Sequence, residues 1–64
     1  MFKSGYILDT PEKIAAAIYN KTRVNVWQDG KLLDYGDVIE SQTVDSVTIT
    51  GNKYLKAVCE FRVR

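Results

Sequence analysis

Asp29-Gly30 stands between two short segments rich in strand-forming residues, 23–28 and 31–35. An Asp-Gly pair so placed is the strongest local signal for a two-residue type I′ hairpin turn, because both turn positions need a positive φ. This dipeptide commits the middle of the chain to an antiparallel ribbon and predicts its register: Gln28 opposite Lys31, Trp27 opposite Leu32, Val26 opposite Leu33 and Val24 opposite Tyr35. Side chains alternate faces along a strand, so Val24 and Val26 share one side while Arg23, Asn25 and Trp27 share the other. With Trp27 across from Leu32, the ribbon is apolar on both sides near its tip and is expected to be strongly curved or covered twice.

A ribbon alone is not stable in water, and the flanking sequence supplies its cover. Asp9-Thr10-Pro11-Glu12 is a helix start. Either Thr10 caps with Pro11 at the first helical position, or Asp9 caps with Glu12 closing a capping box. Both alternatives predict a helix over residues 11–20, with Ile14, Ala17 and Ile18 at the spacing of one inward face. Asn20-Lys21 ends it, an amide that tolerates a left-handed turn beside a cation that suits the negative end of the helix dipole.

Beyond the ribbon, Gly36-Asp37 offers a bend or bulge and Val38-Ile39-Glu40 resumes extended structure. Val44-Asp45-Ser46 reads as a turn, after which Val47 and Ile49 alternate with Thr48 and Thr50 into Gly51-Asn52. A final strand is expected over residues 54–64, with Leu55, Ala57, Cys59, Phe61 and Val63 inward and Lys56, Glu60, Arg62 and Arg64 outward. A two-residue turn at Gly51-Asn52 would set Ile49 opposite Tyr54 and put that apolar stripe on the wrong side. A three-residue loop or a bulge restores Ile49 opposite Leu55.

The 64 residues therefore predict a single α+β, mainly β domain over residues 1–64. One N-terminal helix packs on a strongly bent antiparallel sheet of four or five strands, or on a small SH3- or Sm-like barrel. A chain this short buries only about 60% of the surface it exposes when unfolded. One cysteine, Cys59, precludes an internal disulfide, and the absence of histidine removes the commonest metal ligand. Association with another chain is then the remaining external stabiliser.

The order Ile14-Ala15-Ala16-Ala17-Ile18, then Arg23-Val24-Asn25-Val26-Trp27-Gln28-Asp29-Gly30, resembles the opening of YolD-like proteins: a short helix, a basic residue, a strand with an aromatic, and a turn ending in Gly. Tyr54-Leu55-Lys56-Ala57 and Phe61-Arg62-Val63 look like part of the WYL domain, a related Sm-like barrel of bacterial regulators. The resemblance implies a small barrel. It also implies a phage or mobile-element setting with links to DNA-repair polymerases on one side and nucleic-acid or nucleotide effectors on the other. The chain departs from both families, lacking the Trp-Tyr-Leu triplet and the acidic, Ile-rich last strand, and no functional residue transfers from them.

Read for chemistry, the residues point away from catalysis. The usual general base is missing, Cys59 has no activating neighbour, and no Gly-rich phosphate loop precedes a helix. Asp34 and Asp37 beside a Gly bend are turn residues. No cofactor or metal is expected. No apolar run approaches the roughly 20 residues of a membrane span, the first residues do not read as a signal peptide, and a lone cysteine fits a reducing compartment. A cytoplasmic location is expected.

Two binding readings remain. In the first, the chain is a non-catalytic interaction or accessory module that pairs with a partner protein or a second copy through a sheet edge, using the final strand with Tyr54, Lys56, Glu60, Arg62 and Arg64. In the alternative, Arg23, Asn25 and Trp27, with Lys31, form a nucleic-acid-binding face in which the aromatic stacks a base and the cations meet phosphates. The low net charge weighs against the nucleic-acid reading, since phosphate contacts supply most non-specific affinity, while its uneven distribution suits self-complementary association or an anionic partner for the basic end. The middle is acidic, with Asp29, Asp34, Asp37, Glu40 and Asp45 against Lys31, and the end is basic, but the net charge is only +1.

Overall fold

Thr10 opens the helix. In the computed structural model, which describes residues 2–64, α1 spans Pro11–Tyr19. The Thr10 backbone is extended, its hydroxyl accepts a hydrogen bond from the Lys13 amide at 3.2 Å, and Pro11 sits in the first turn, where its missing N–H costs nothing. Asp9 does not cap. Its carboxylate pairs with Lys13 at 2.8 Å. At the other end the left-handed residue is Lys21, with φ +53°, and Asn20 keeps a negative φ. Ile14 and Ala17 are buried and Ile18 is half-buried, against β3 (Ile39–Gln42).

Six strands follow, in two three-stranded antiparallel sheets. One has the order β2 (Lys31–Asp34), β1 (Val24–Gln28), β6 (Glu60–Val63); the other has the order β3, β4 (Ser46–Ile49), β5 (Asn52–Leu55). The chain is mainly β with one helix, and the sheets do not close on each other. Between them lies the core: Val24, Val26, Phe61 and Val63 from the first sheet, Ile39, Val47 and Ile49 from the second, with Leu8, Ile14 and Ala17.

The hairpin turn forms at Asp29-Gly30 with φ +53° and +75°, the positive pair that a type I′ turn demands. Gln28 faces Lys31 and Trp27 faces Leu32, but the register then shifts and Val26 faces Asp34. Leu33 is the extra residue of a bulge. The expected Val26–Leu33 and Val24–Tyr35 pairs do not form, and Leu33 and Tyr35 stand 51% and 69% exposed. The reason lies just beyond. The chain must leave β2 and cross the start of β1, where the Val24 amide donates to the Asp37 carbonyl at 3.3 Å and Arg23 bridges Val38. A bulge bends and twists the strand to allow this. Gly36 makes the crossing: a Cβ there would lie 2.5 Å from the Val24 carbonyl oxygen.

The second turn falls one residue earlier than expected, at Thr50-Gly51, again with both φ positive, so Ile49 faces Asn52 and Val47 faces Tyr54. Leu55 lies opposite Ser46 and is half exposed. The expected continuous strand over residues 54–64 is two strands in different sheets, separated by a turn in which the Val58 and Cys59 amides donate to the Leu55 carbonyl. Inward parity reverses across that turn, from Tyr54 in β5 to Phe61 and Val63 in β6. The single alternating stripe read in the sequence is therefore not one face: its Leu55 end points out of β5 and its Phe61 and Val63 end points into the core from β6.

The outer edge of β6 is not open. The Gly5 amide donates to the Val63 carbonyl at 2.7 Å, the Val63 amide to the Tyr6 carbonyl at 2.8 Å, and the Leu8 amide to the Phe61 carbonyl at 2.8 Å. Residues 5–8 therefore lie along β6 as a strand would.

Gly36→Ala is expected to destabilise the protein by about 1–3 kcal/mol, the range for forcing extra atoms into a packed interior. That is a fall in Tm of roughly 4–8 °C per kcal/mol for a domain this small. Thermal unfolding followed by circular dichroism measures it; a Tm equal to that of the unsubstituted protein would mean that the Val24 backbone moves aside freely.

Candidate binding face

Pairing of β1 with β6 builds the surface. Val24 faces Val63 and Val26 faces Phe61, both pairs turned to the core, so the residues between them turn outward together: Asn25 opposite Arg62 and Trp27 opposite Glu60. The Arg64 amide donates to the Arg23 carbonyl at 2.9 Å and continues the ladder, placing Arg64 beside Arg23. On the far side of β6, Ile7 bridges Arg62 and adds an apolar neighbour; on the far side of β1, Leu32 faces Trp27.

Two sets of residues that the sequence places in separate sites, Arg23, Asn25 and Trp27 on one strand and Glu60, Arg62 and Arg64 on another, are thus one face. Lys31 is not part of it, because it pairs with Gln28 and belongs to the side of Val24 and Val26. Tyr54 belongs to β5, where its hydroxyl donates to Asp34 at 2.9 Å, and the Lys56 ammonium donates to Gln42 at 2.9 Å. Neither shares an edge with Arg62. The Tyr54 hydroxyl is held above its usual pKa by burial, with the Asp34 carboxylate adding to the effect.

The face is cationic and aromatic. The Arg62 guanidinium lies 4.4 Å from the centre of the Trp27 ring, and its Nε donates to the Glu60 carboxylate at 2.7 Å. Arg64 lies 5.9 Å from the centre of the Tyr35 ring, and Arg23 is 3.5 Å from the Asp37 carboxylate, a solvent-exposed pair of small energetic weight. Among the described residues Arg64 forms no ion pair with a side chain. On the same strand as Trp27 the Asn25 Oδ1 is shielded from solvent and, among the described residues, accepts no hydrogen bond. Tyr35 and Asp37 escape a sequence reading of the site because the crossing at Gly36, which carries both to the end of β1, leaves no local signature.

A cleft of ≈ 270 Å³ adjoins the face, sharing Ile7 and Glu60 with it and walled further by Leu8, Ile14, Cys59 and Phe61. Cys59 is half-buried rather than fully inside, and burial raises its thiol pKa above the ordinary value. Among the described residues no three His, Cys, Asp or Glu side chains gather so as to hold a metal ion, and no helix is long and apolar enough to cross a membrane. Compared with protein-family models, curated proteins and solved structures, the chain matches none.

Cys59 should react slowly with iodoacetamide. A raised thiol pKa leaves less thiolate at any pH below it, so the alkylation rate of the native protein should climb at a higher pH than that of a free cysteine. A rate–pH profile superimposable on that of a short unstructured cysteine peptide would contradict the packing of this side chain. Arg62→Ala should leave the fold in place and change the fluorescence of Trp27, the chain's one tryptophan, since the cation over its ring is removed.

Proposed function

We propose that the chain is a non-catalytic binding module that takes single-stranded nucleic acid on the outer face of β1 and β6. The observation that carries this reading is the convergence of Arg23, Arg62 and Arg64 with Trp27 and Tyr35 on one surface, including the guanidinium stacked at 4.4 Å on the Trp27 ring. Single-strand binders combine these ingredients: aromatic rings on which bases stack in any sequence, and cations that follow the phosphates. Trp27 is the stacking platform, Arg64 and Arg23 meet phosphates, and Asn25 reads a base edge or bridges to one. The nucleic-acid and nucleotide effectors of WYL domains, which the closing segment resembles, are consistent with this assignment. So is a cytoplasmic location for a protein with one reduced cysteine.

The sheet-edge reading, in which the chain is an accessory module for a partner protein or a second copy, has less support. Residues 5–8 occupy the edge of β6, β2 carries a bulge, and β5 is four residues long with Lys53 on it. Bulges, short strands and lysines are the means by which proteins keep edges unpaired. In the same proposal the two sheets are the halves of an open SH3- or Sm-like barrel, a reading supported by the Arg23–Val38 bridge and the Tyr54–Asp34 bond that link them.

A labelled oligothymidylate titrated with the protein at low ionic strength, followed by anisotropy, tests the proposal. Binding should weaken by roughly 20-fold between 50 and 200 mM salt if about three phosphates are neutralised, given a slope of about −0.7 per phosphate on a single strand. Trp27→Ala should cost about 1–3 kcal/mol of binding, the value of one stacked base. No anisotropy change at the lowest salt would sink the reading, and a concentration-dependent mass in its absence would return the argument to protein association.

A further inference from the structure

In the free protein the stacking position on Trp27 is already filled. Arg62 covers the ring with its guanidinium while its Nε and an Nη contact the Glu60 carboxylate, so one side chain is clamped between an aromatic face and an acid. Glu60 is the residue directly across the ladder from Trp27, and Arg62 is directly across from Asn25. A base cannot lie on this face of Trp27 until Arg62 leaves.

We infer that Glu60 is an internal competitor for the binding face: its carboxylate holds Arg62 over Trp27 as a stand-in for the ligand, and binding exchanges the carboxylate for a phosphate and the guanidinium for a base. The inference rests on the reading of this face as a nucleic-acid site. Both halves of the exchange are chemically matched. A guanidinium takes carboxylate and phosphate oxygens with the same donor geometry, and an aromatic ring accepts a guanidinium or a base on its face. Arg62 reaches Glu60 from only two residues away along one strand, on the same side, so it can let go of the acid and turn outward without any change in the backbone. The pair is about one third exposed, with side-chain accessibilities of 33% and 41%, which leaves a phosphate room to approach.

Asn25 adds a reason for the exchange to run forward. Its Oδ1 is shielded from solvent and unpaired while Arg62 is closed, and an acceptor left in that condition is unfavourable. Across the ladder from Arg62, that oxygen is placed to take the amino group of an incoming base as its missing donor. Glu60 thereby also sets selectivity. It repels any anion that cannot bring a base to replace Arg62 on the ring, so inorganic phosphate should bind poorly where an oligonucleotide binds.

Glu60→Gln tests this, with Glu40→Gln as a control that removes the same charge from an exposed position on β3, away from the face. Against a labelled oligothymidylate, Glu60→Gln should bind about fivefold more tightly than the unsubstituted protein, the upper end for releasing a partly exposed ion pair, and Glu40→Gln clearly less so. With no ligand present, acrylamide should quench Trp27 more efficiently in Glu60→Gln than in either other protein, because the guanidinium is no longer held over the ring. Equal gains from the two substitutions, with unchanged acrylamide quenching, would overturn the competitor role and leave the binding face standing. Absence of oligonucleotide binding by all three proteins would remove the face and the competitor together.

Discussion

Val24 and Val26 are completely shielded from solvent, and the groups that shield them arrive from every part of the chain. Phe61 and Val63 come from the last strand, Ile39, Val47 and Ile49 from the second sheet, Ile14 and Ala17 from the helix, and Leu8 from the segment before it. With a single cysteine and so no internal disulfide, this burial is the main term that opposes the conformational entropy of the chain. β1 is therefore hydrogen-bonded on both flanks, by β2 and β6, and its inward valines are the floor on which both sheets and the helix rest. The alternation of β1 then dictates the rest. Once the even-numbered residues are inside, Arg23, Asn25 and Trp27 have no choice but to form a surface.

That surface inherits its order from the core. Register between β1 and β6 is pinned by the pairs Val24–Val63 and Val26–Phe61, and a slip of one residue would turn every charged side chain of β6 inward. The positions of Arg62 and Glu60 around Trp27 are thus set by apolar packing on the opposite face of the same two strands. The binding groups sit on strands rather than on loops, which holds their backbone in place while leaving the arginine side chains free to change partners.

Features governed by local backbone chemistry were legible in the amino-acid sequence. Asp29-Gly30 satisfies a turn with two positive φ values whatever surrounds it, and Thr10-Pro11 starts a helix for reasons internal to four residues. Features that depend on where distant segments meet were not. Leu33 looks like the inward partner of Val26 until the passage of Gly36 against the Val24 carbonyl demands a bulge. The stripe from Leu55 to Val63 looks like one strand because apolar residues happen to alternate through the turn at residues 56–59, although the inward parity changes from Tyr54 to Phe61 across it. For the face, the outward parity of each strand could be read correctly, while the adjacency of the two strands could not, since nothing in residues 23–28 names residues 60–64 as neighbours. Lys31 pairs with Gln28 across the two-residue turn, which puts it on the other side of the ribbon from Trp27.

The seam between residues 5–8 and β6 ties almost the first described residues to almost the last. On a ribosome the helix and the β1–β2 hairpin can form as soon as they emerge, but the sheet they belong to lacks its third strand, and the strand's outer cover lacks its template, until Val63 has been added. Valines 24 and 26 must stay unburied through that interval, an exposed apolar ribbon in a nascent chain. Such long-separation pairing also raises contact order and slows folding relative to a helical domain of equal size. The structure should accordingly form in one late cooperative step, once Val63 is available to pair, and not in the order in which its elements appear.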